Sequence, residues 1–326
     1  MFVLDSHCDT PSEIIRGRNI GLDNPDAHVD FPKLRRGGVD ACFFALYTPN
    51  TISEDESLRK VMRMLAAVQD ALEANPDKAA LATTPEEAQR LKEKGLTAIF
   101  LGMENALPLG KDLALLRFFH RAGVRYVTLT HNGDNEICDS AAEGKRWGGL
   151  SPFGREFIAE MNRIGMLVDI AHCSDKTFYD CIEVSSAPIV STHSCCRALC
   201  DHRRNLTDDQ LSALSDKGGV CQINFYPVFL SGQYDEEKDL NRPGIKEVVD
   251  HIDHAVNVAG IDAVGIGSDF DGIEVAPAGL DDISKIGLVF DEMARRGYSE
   301  GEIEKVAGLN FMRVLSDVAR TSLFIP

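Results

Sequence analysis

A chain of 326 residues, 44% hydrophobic and 26% charged, carries enough apolar material for a substantial packed core, and an α/β barrel of that length fits one domain. Its 34 basic and 51 acidic residues leave a net charge of -17, which repels phosphate backbones and anionic lipid and argues against nucleic acid or a membrane surface as partner. No stretch approaches the roughly 18 uninterrupted apolar residues of a membrane span.

The opening Met1-Phe2-Val3-Leu4-Asp5 has neither a basic nor an apolar leader region, which predicts a cytoplasmic protein. Nine cysteines, several inside apolar runs (Cys42, Cys173, Cys221), read as buried reduced thiols rather than a disulfide framework. Cys195, Cys196 and Cys200 lack the spacing of a zinc knuckle.

Short apolar runs alternate with helical segments along the chain. Eight strands are predicted, at 2–5, 40–47, 98–102, 125–130, 167–171, 188–192, 220–225 and 263–267. Each is short and dominated by apolar residues, many β-branched, rather than alternating, as strands covered on both faces are. Helix starts are marked by Thr84-Pro85-Glu86-Glu87, by Ser151-Pro152 and by Ser299 with Glu302. Gly123, Gly165, Gly218, Gly260 and Gly297 mark helix ends that call for a left-handed residue.

Eight strand–helix repeats predict a single-domain (β/α)8 TIM barrel over residues 1–326. An open doubly wound sheet is the runner-up. It usually carries a glycine-rich turn after its first strand, where this chain has Ser6-His7-Cys8-Asp9-Thr10-Pro11. Residues 49–57 and 132–152 read as long loops over the barrel mouth.

In a barrel, side chains just past each strand converge on one mouth. Here they are His7 and Asp9, Glu104, His131, His172, His193, Asn224 with Tyr226, and Asp269 with Asp271. One histidine past a strand is usually an ordinary loop residue. Four of nine histidines after four different strands, with carboxylates in equivalent places, form a pattern.

The spacing His7-x-Asp9 points two ligands the same way, and imidazole with carboxylate suits zinc or a similar divalent ion. Glu104 is placed to bridge two ions, with His172 and His193 completing a second site. Two such ions about 3.5–4 Å apart acidify a shared water into hydroxide, the nucleophile that amide hydrolysis needs. His131 and Asp269 remain for handling protons or charge. His28, His120, His251 and His254 read as surface residues, with His202 open. Arg203-Arg204 is read two ways, as a solvated pair or as a grip on a substrate carboxylate.

These pieces resemble the membrane (renal-type) dipeptidase family of the metal-dependent amidohydrolase superfamily. The motifs carrying the resemblance are Asp5-Ser6-His7-Cys8-Asp9, Gly102-Met103-Glu104-Asn105, Leu129-Thr130-His131-Asn132, Asp169-Ile170-Ala171-His172-Cys173-Ser174 and Ser191-Thr192-His193-Ser194. Further along come Arg203-Arg204-Asn205, Asn224-Phe225-Tyr226, Gly267-Ser268-Asp269-Phe270-Asp271-Gly272 and Gly308-Leu309-Asn310-Phe311-Met312-Arg313-Val314. They span nearly the whole chain in family order.

The resemblance implies two zinc ions per chain, one on His7 and Asp9, the other on His172 and His193, with Glu104 bridging. It further implies Asp269 as the proton carrier and His131 as the partner of the developing oxyanion. Arg204 would hold the C-terminal carboxylate of a dipeptide, and Tyr226 would line the same pocket. L,L- and L,D-dipeptides as substrates and a homodimeric state also follow from it.

Animal members carry a signal peptide, disulfides and a lipid-attachment tail that this sequence lacks. Cys8 stands where they commonly have asparagine, and its side chain is expected to point away from the metals, though a thiol there is a candidate oxidation point. A deaminase or lactonase of the same superfamily is the first alternative. Its members typically start with His-x-His and often bridge with a carboxylated lysine. A non-catalytic metal-binding barrel is the second.

Overall fold

The short apolar runs form strands because each packs against side chains on both faces. In the computed structural model, which describes residues 1–142 and 145–321, they are β1 (Leu4–Cys8), β2 (Ala41–Tyr47), β3 (Ala79–Leu81), β4 (Thr97–Glu104), β5 (Val124–Thr128), β6 (Leu167–Asp169), β7 (Ile189–Ser194), β8 (Val220–Ile223) and β9 (Val264–Ile266). All pair in parallel in the order β1-β2-β4-β5-β6-β7-β8-β9.

The strand missing from the sequence reading is β3, three residues long and too short to announce itself by pattern. It pairs with the start of β4, Ala79 opposite Thr97, while β5 joins β4 only from Leu101 onward. The eight-strand path is the barrel, and β3 is an addition at its lower rim.

First and last strands meet at a seam, which removes the open doubly wound alternative. Cys8 bridges Phe270 in parallel, the Asp9 amide donates to Phe270 O at 2.9 Å, and the Asp269 amide donates to His7 O at 3.0 Å. Side chains lace the rest. Ser6 Oγ donates to Ile266 O and Thr192 O, and the buried Asp5 carboxylate accepts from the Ser268 amide at 2.8 Å. Burial pushes the Asp5 pKa up to about 6 despite the donors from Ser268 and His7.

Alternation along the strands sorts two cores. Leu4, Phe43, Phe100, Tyr126, Leu167, Val190 and Val220 point inward. Phe311 of the helix Asn310–Thr321 reaches the Phe43 ring edge-on at 5.2 Å, and Phe43 stacks on Phe100 at 4.8 Å. The outward residues, among them Cys42, Phe44, Ile99, Leu101, Val127 and Ile189, join the helical shell in one large cluster.

Helix boundaries follow the local chemistry. Thr84 and Ser151 accept amide hydrogen bonds from Glu87 and Gly154, and Ser299 forms a reciprocal box with Glu302. All five glycines named as helix ends have positive φ, Gly165 in the left-handed region at 76°.

Three readings are corrected. The loop predicted over 49–57 stops at Ser53, which caps a helix over Glu54–Glu73 together with Glu56. The four-residue spacing of its apolar face was overlooked beside the acidic first turn. His251 is core rather than surface, at 1% exposure. It accepts from the Cys196 amide at 3.0 Å and bonds Leu230 O, so a histidine on the apolar face of a helix is held there by two backbone groups. His28, His120 and His254 are half-buried. All nine cysteines are free thiols, eight of them buried.

Candidate metal centre and active site

Inward alternation continues upward from the aromatic layer into the chemistry. Phe100, Gly102 and Glu104 share one face of β4, and Tyr126 of β5 lies across Gly102. A β-carbon at 102 would sit 2.0 Å from the tyrosine ring, so only glycine admits it. Tyr126 is therefore the floor of the mouth, with its hydroxyl 2.8 Å from His7 Nδ1.

Above that floor the predicted residues meet. His7 Nε2 lies 3.5 Å from both Asp9 Oδ2 and Glu104 Oε2, and 3.9 Å from Asp269 Oδ1. The other Glu104 oxygen faces His172 Nε2 at 3.1 Å, His193 Nε2 at 3.7 Å and His131 Nε2 at 3.9 Å. His172 and His193 bring their Nε2 atoms within 3.0 Å of each other. One carboxylate therefore turns one oxygen toward each half of the cluster. His7 and His193 lie within β1 and β7, not just beyond them, because both strands run further than the sequence suggested.

The imidazoles share a pattern: Nδ1 is held from behind and Nε2 faces inward. Tyr126 holds His7, Asn132 Oδ1 holds His172 at 3.1 Å, and Thr192 Oγ1 holds His193 at 2.9 Å. Thr192 in turn donates to the buried Asp169 at 2.7 Å, and Thr128 donates to the same oxygen. Such outer contacts fix the tautomer and aim of metal-binding histidines. Asp269 is anchored by Asn224 Nδ2 at 2.9 Å, and its neighbour Asp271 turns away to Arg18 and Thr10.

His172, Asp269 and Asp271 have φ of 68°, 64° and 65°, left-handed backbone that non-glycine residues rarely adopt. After Asp271, a β-carbon at Gly272 would stand 2.2 Å from Asp9 Oδ2, so the bare backbone there lets the β9 turn close against the ligands.

Charge in this cluster is frustrated. Burial opposes the His7 imidazolium, but Glu104 and Asp9 outweigh burial and raise its pKa well above the usual value. Burial also works against the Glu104 carboxylate, and the surrounding imidazoles, His7 foremost, hold its pKa well below the ordinary range. Asp9 is pushed up to about 7 by burial and then by Glu104, and Asp269 to about 6 by burial. Burial keeps His172 and His193 neutral. Meanwhile His7 Nε2 and Asp9 Oδ1 are buried without any hydrogen-bond partner. Neutral imidazoles, crowded carboxylates and orphaned ligand atoms aimed at one point are the donor set of a borderline divalent cation, and these residues fit one.

The cluster floors a cleft of about 590 Å³. Tyr47 meets the His131 ring edge-on at 4.8 Å on one wall. On the other, Arg204 is 6% exposed, donates Nη2 to His193 O at 3.2 Å, and lies 5.4 Å from the Phe229 ring with its Nε unpartnered. Arg203 is exposed, which settles the pair: one arginine faces the cleft and one faces solvent. Tyr226 lines the same wall, its hydroxyl donating to Glu236. Cys8 points away as expected, buried against Cys42 and Phe43 O, and has no exposed surface for an oxidant to reach.

Residues 1–324 match the family described as membrane dipeptidase, peptidase family M19. The chain belongs to that family. This dipeptidase is 37% identical over 300 residues to dipeptidase tcpJ of Claviceps purpurea, spanning 89% of this chain and 69% of that protein. It is 35% identical over 343 residues to dipeptidase verJ of Clonostachys rogersoniana, spanning 98% and 85%. Among solved structures, the probable dipeptidase PvdM of Pseudomonas aeruginosa superimposes with a TM-score of 0.93 at 27% identity, covering 99% of this chain and 96% of that one. A metallopeptidase of Rhodobacter sphaeroides, bound to a phosphinate mimic of the dipeptide L-Ala-D-Ala, gives 0.90 at 26%, covering 98% and 99%. Family membership makes the chain a metal-dependent dipeptidase on an amidohydrolase-type barrel. Among the described residues no helix is long and apolar enough to cross a membrane.

Sequence reasoning missed Tyr126, Asn132 and Thr192, which sit behind the ligands. Only their nearness to the histidine motifs marks the last two, and nothing local marks Tyr126.

Proposed function

We propose that this dipeptidase holds two zinc ions, one through His7 and Asp9, the other through His172 and His193, with Glu104 bridging. The observation that carries the reading is the divided carboxylate of Glu104, one oxygen toward His7 and the other toward His172, His193 and His131, above buried ligand atoms that lack partners. Bound cations of this kind polarise an amide carbonyl and acidify water.

The chain's own side chains do the rest. Arg204 grips the substrate's C-terminal carboxylate through its guanidinium edge and so fixes the scissile amide over the ligand cluster. His131, whose pKa burial lowers, is neutral and offers Nε2–H to the carbonyl oxygen as it gains charge. Asp269, held by Asn224 through one oxygen, keeps the other free near His7. It accepts the proton of the attacking water there and passes it to the leaving nitrogen. Tyr226 lines the pocket beside the carboxylate grip.

L,D-dipeptides join L,L-dipeptides as substrates in this proposal, supported by the relative that binds a mimic of L-Ala-D-Ala. The acidic surface supports a protein that works away from nucleic acid, and a cytoplasmic homodimer completes the proposal. The deaminase and lactonase alternative loses support because Glu104, rather than a lysine, stands between the two halves of the cluster.

The test is metal analysis of the purified protein beside hydrolysis of a panel of L,L- and L,D-dipeptides. Two zinc per chain with turnover is the expected result. Fewer than two bound metals in the fully active protein would overturn the binuclear assignment.

A further inference from the structure

The wall that carries Arg204 continues outward through Phe229 and Tyr226, whose rings meet edge-on at 4.9 Å, to two carboxylates. Glu236 accepts from the Tyr226 hydroxyl, and Glu274 lines the same cleft. Neither forms an ion pair with a lysine or arginine among the described residues, whereas the nearby Asp235, Asp239 and Asp271 each pair with one.

The opposite wall has the other sign. Arg16 lines it paired with Glu13, and the half-buried Lys60 ammonium, which supplies the unpaired charge there, lies 4.7 Å over the Tyr47 ring with no carboxylate paired to it among the described residues. The cleft is therefore polarised across its width, acidic on the Arg204 side and basic on the Tyr47 side. Arg204 is the independent sign that a ligand seats on the acidic side, since its buried Nε has no partner and only something in the cleft is placed to supply one.

We propose that the dipeptidase prefers substrates whose C-terminal residue bears a cationic side chain, lysine- or arginine-like, which Glu236 and Glu274 receive while Arg204 holds the α-carboxylate. This rests on Arg204 as the carboxylate anchor. With the carboxylate on Arg204, the C-terminal side chain extends past Phe229 and Tyr226. Its methylenes cover those rings and its charge meets two unneutralised carboxylates. An acidic C-terminal side chain meets the same carboxylates as a like charge. Placing the cation on the N-terminal residue directs it toward the unpaired Lys60 instead, so the order of the two residues matters.

The experiment compares kcat/KM for Ala-Lys, Ala-Ala, Ala-Glu and the reversed Lys-Ala on the zinc-loaded enzyme, for the wild type and for the double variant Glu236→Gln, Glu274→Gln. Glutamine keeps an acceptor for the Tyr226 hydroxyl. Ala-Lys is expected to exceed Ala-Glu and Lys-Ala by about tenfold or more, the sum of two partly screened ion pairs. The ratio of Ala-Lys to Ala-Glu should fall toward one in the double variant, and in the wild type as salt rises. A merely structural role for the two glutamates would lower all four substrates together and leave the ratio intact, which overturns the proposal. Efficient hydrolysis of all four with Ala-Lys no better than Ala-Glu also overturns it while the dipeptidase reading stands. Absence of turnover on every dipeptide overturns the reading on which it rests.

Discussion

The floor of the cleft and its rim obey different rules. On the floor His7, His172 and His193 are buried and braced from behind by Tyr126, Asn132 and Thr192, and the half-buried Asp269 is held by Asn224. At the rim the side chains are half-exposed or exposed, as Tyr226, Glu236 and Glu274 are. The loops beneath it are held by their own hydrogen bonds, such as Asn50 Nδ2 donating to Gly133 O at 3.0 Å. A braced floor fixes what reaction is done, and the more exposed rim side chains are free to vary which dipeptide is admitted.

The sharpest way to break that contrast is Asp269→Asn. Loss of the proposed proton carrier should lower kcat by about 10²-fold or more with bound metal retained, read by steady-state rates beside metal analysis. An unchanged kcat would mean the floor does not act through this carboxylate. Chelation comes next: stripping metal should abolish turnover and lower the melting temperature, with both restored by zinc, because buried Asp9 and Glu104 would then face each other without a cation.

Arg204→Ala removes charge-assisted hydrogen bonds of about 1.5–3 kcal/mol each. It should raise KM for dipeptides roughly 10–100-fold while leaving the corresponding dipeptide amides, which lack the carboxylate, much less affected. Tyr126→Phe deletes only a brace, and zinc affinity should fall about 10–100-fold in a competition titration at near-constant fold stability. At the rim, Asn50→Ala should shift KM by no more than about fivefold, since it loses two half-buried hydrogen bonds, to Gly133 O and from Asn105, that touch no part of the substrate cleft. A larger effect would show that the loops are braced like the floor.

The same contrast explains what the sequence disclosed. Each proposed ligand lies in or just past an apolar strand, and strand periodicity is a strong signal, so His7, Glu104, His172 and His193 were legible as a set. Closure of the barrel was legible from the repeat of strand and helix. Tyr126 was hidden because a tyrosine in a buried strand reads as core, and its role depends on Gly102 leaving room across a neighbouring strand. The helix at Glu54–Glu73 was partly hidden because its polar, acidic first turn resembles a loop until its capping box is recognised. His251 was misread because burial of a lone imidazole depends on two distant backbone partners, Cys196 and Leu230. Rim residues such as Glu236 lie in irregular chain, where no periodicity places a side chain.

The junction of β1 with β9 has a temporal meaning. His7 and Asp9 leave the ribosome before the rest of the cluster, yet the backbone groups that hold them, Phe270 O and the Asp269 amide, arrive some 260 residues later. A nascent or truncated polypeptide ending before that point owns most of the cluster but lacks the seam that closes it. Competence for catalysis is therefore acquired late and nearly all at once, when the ring closes.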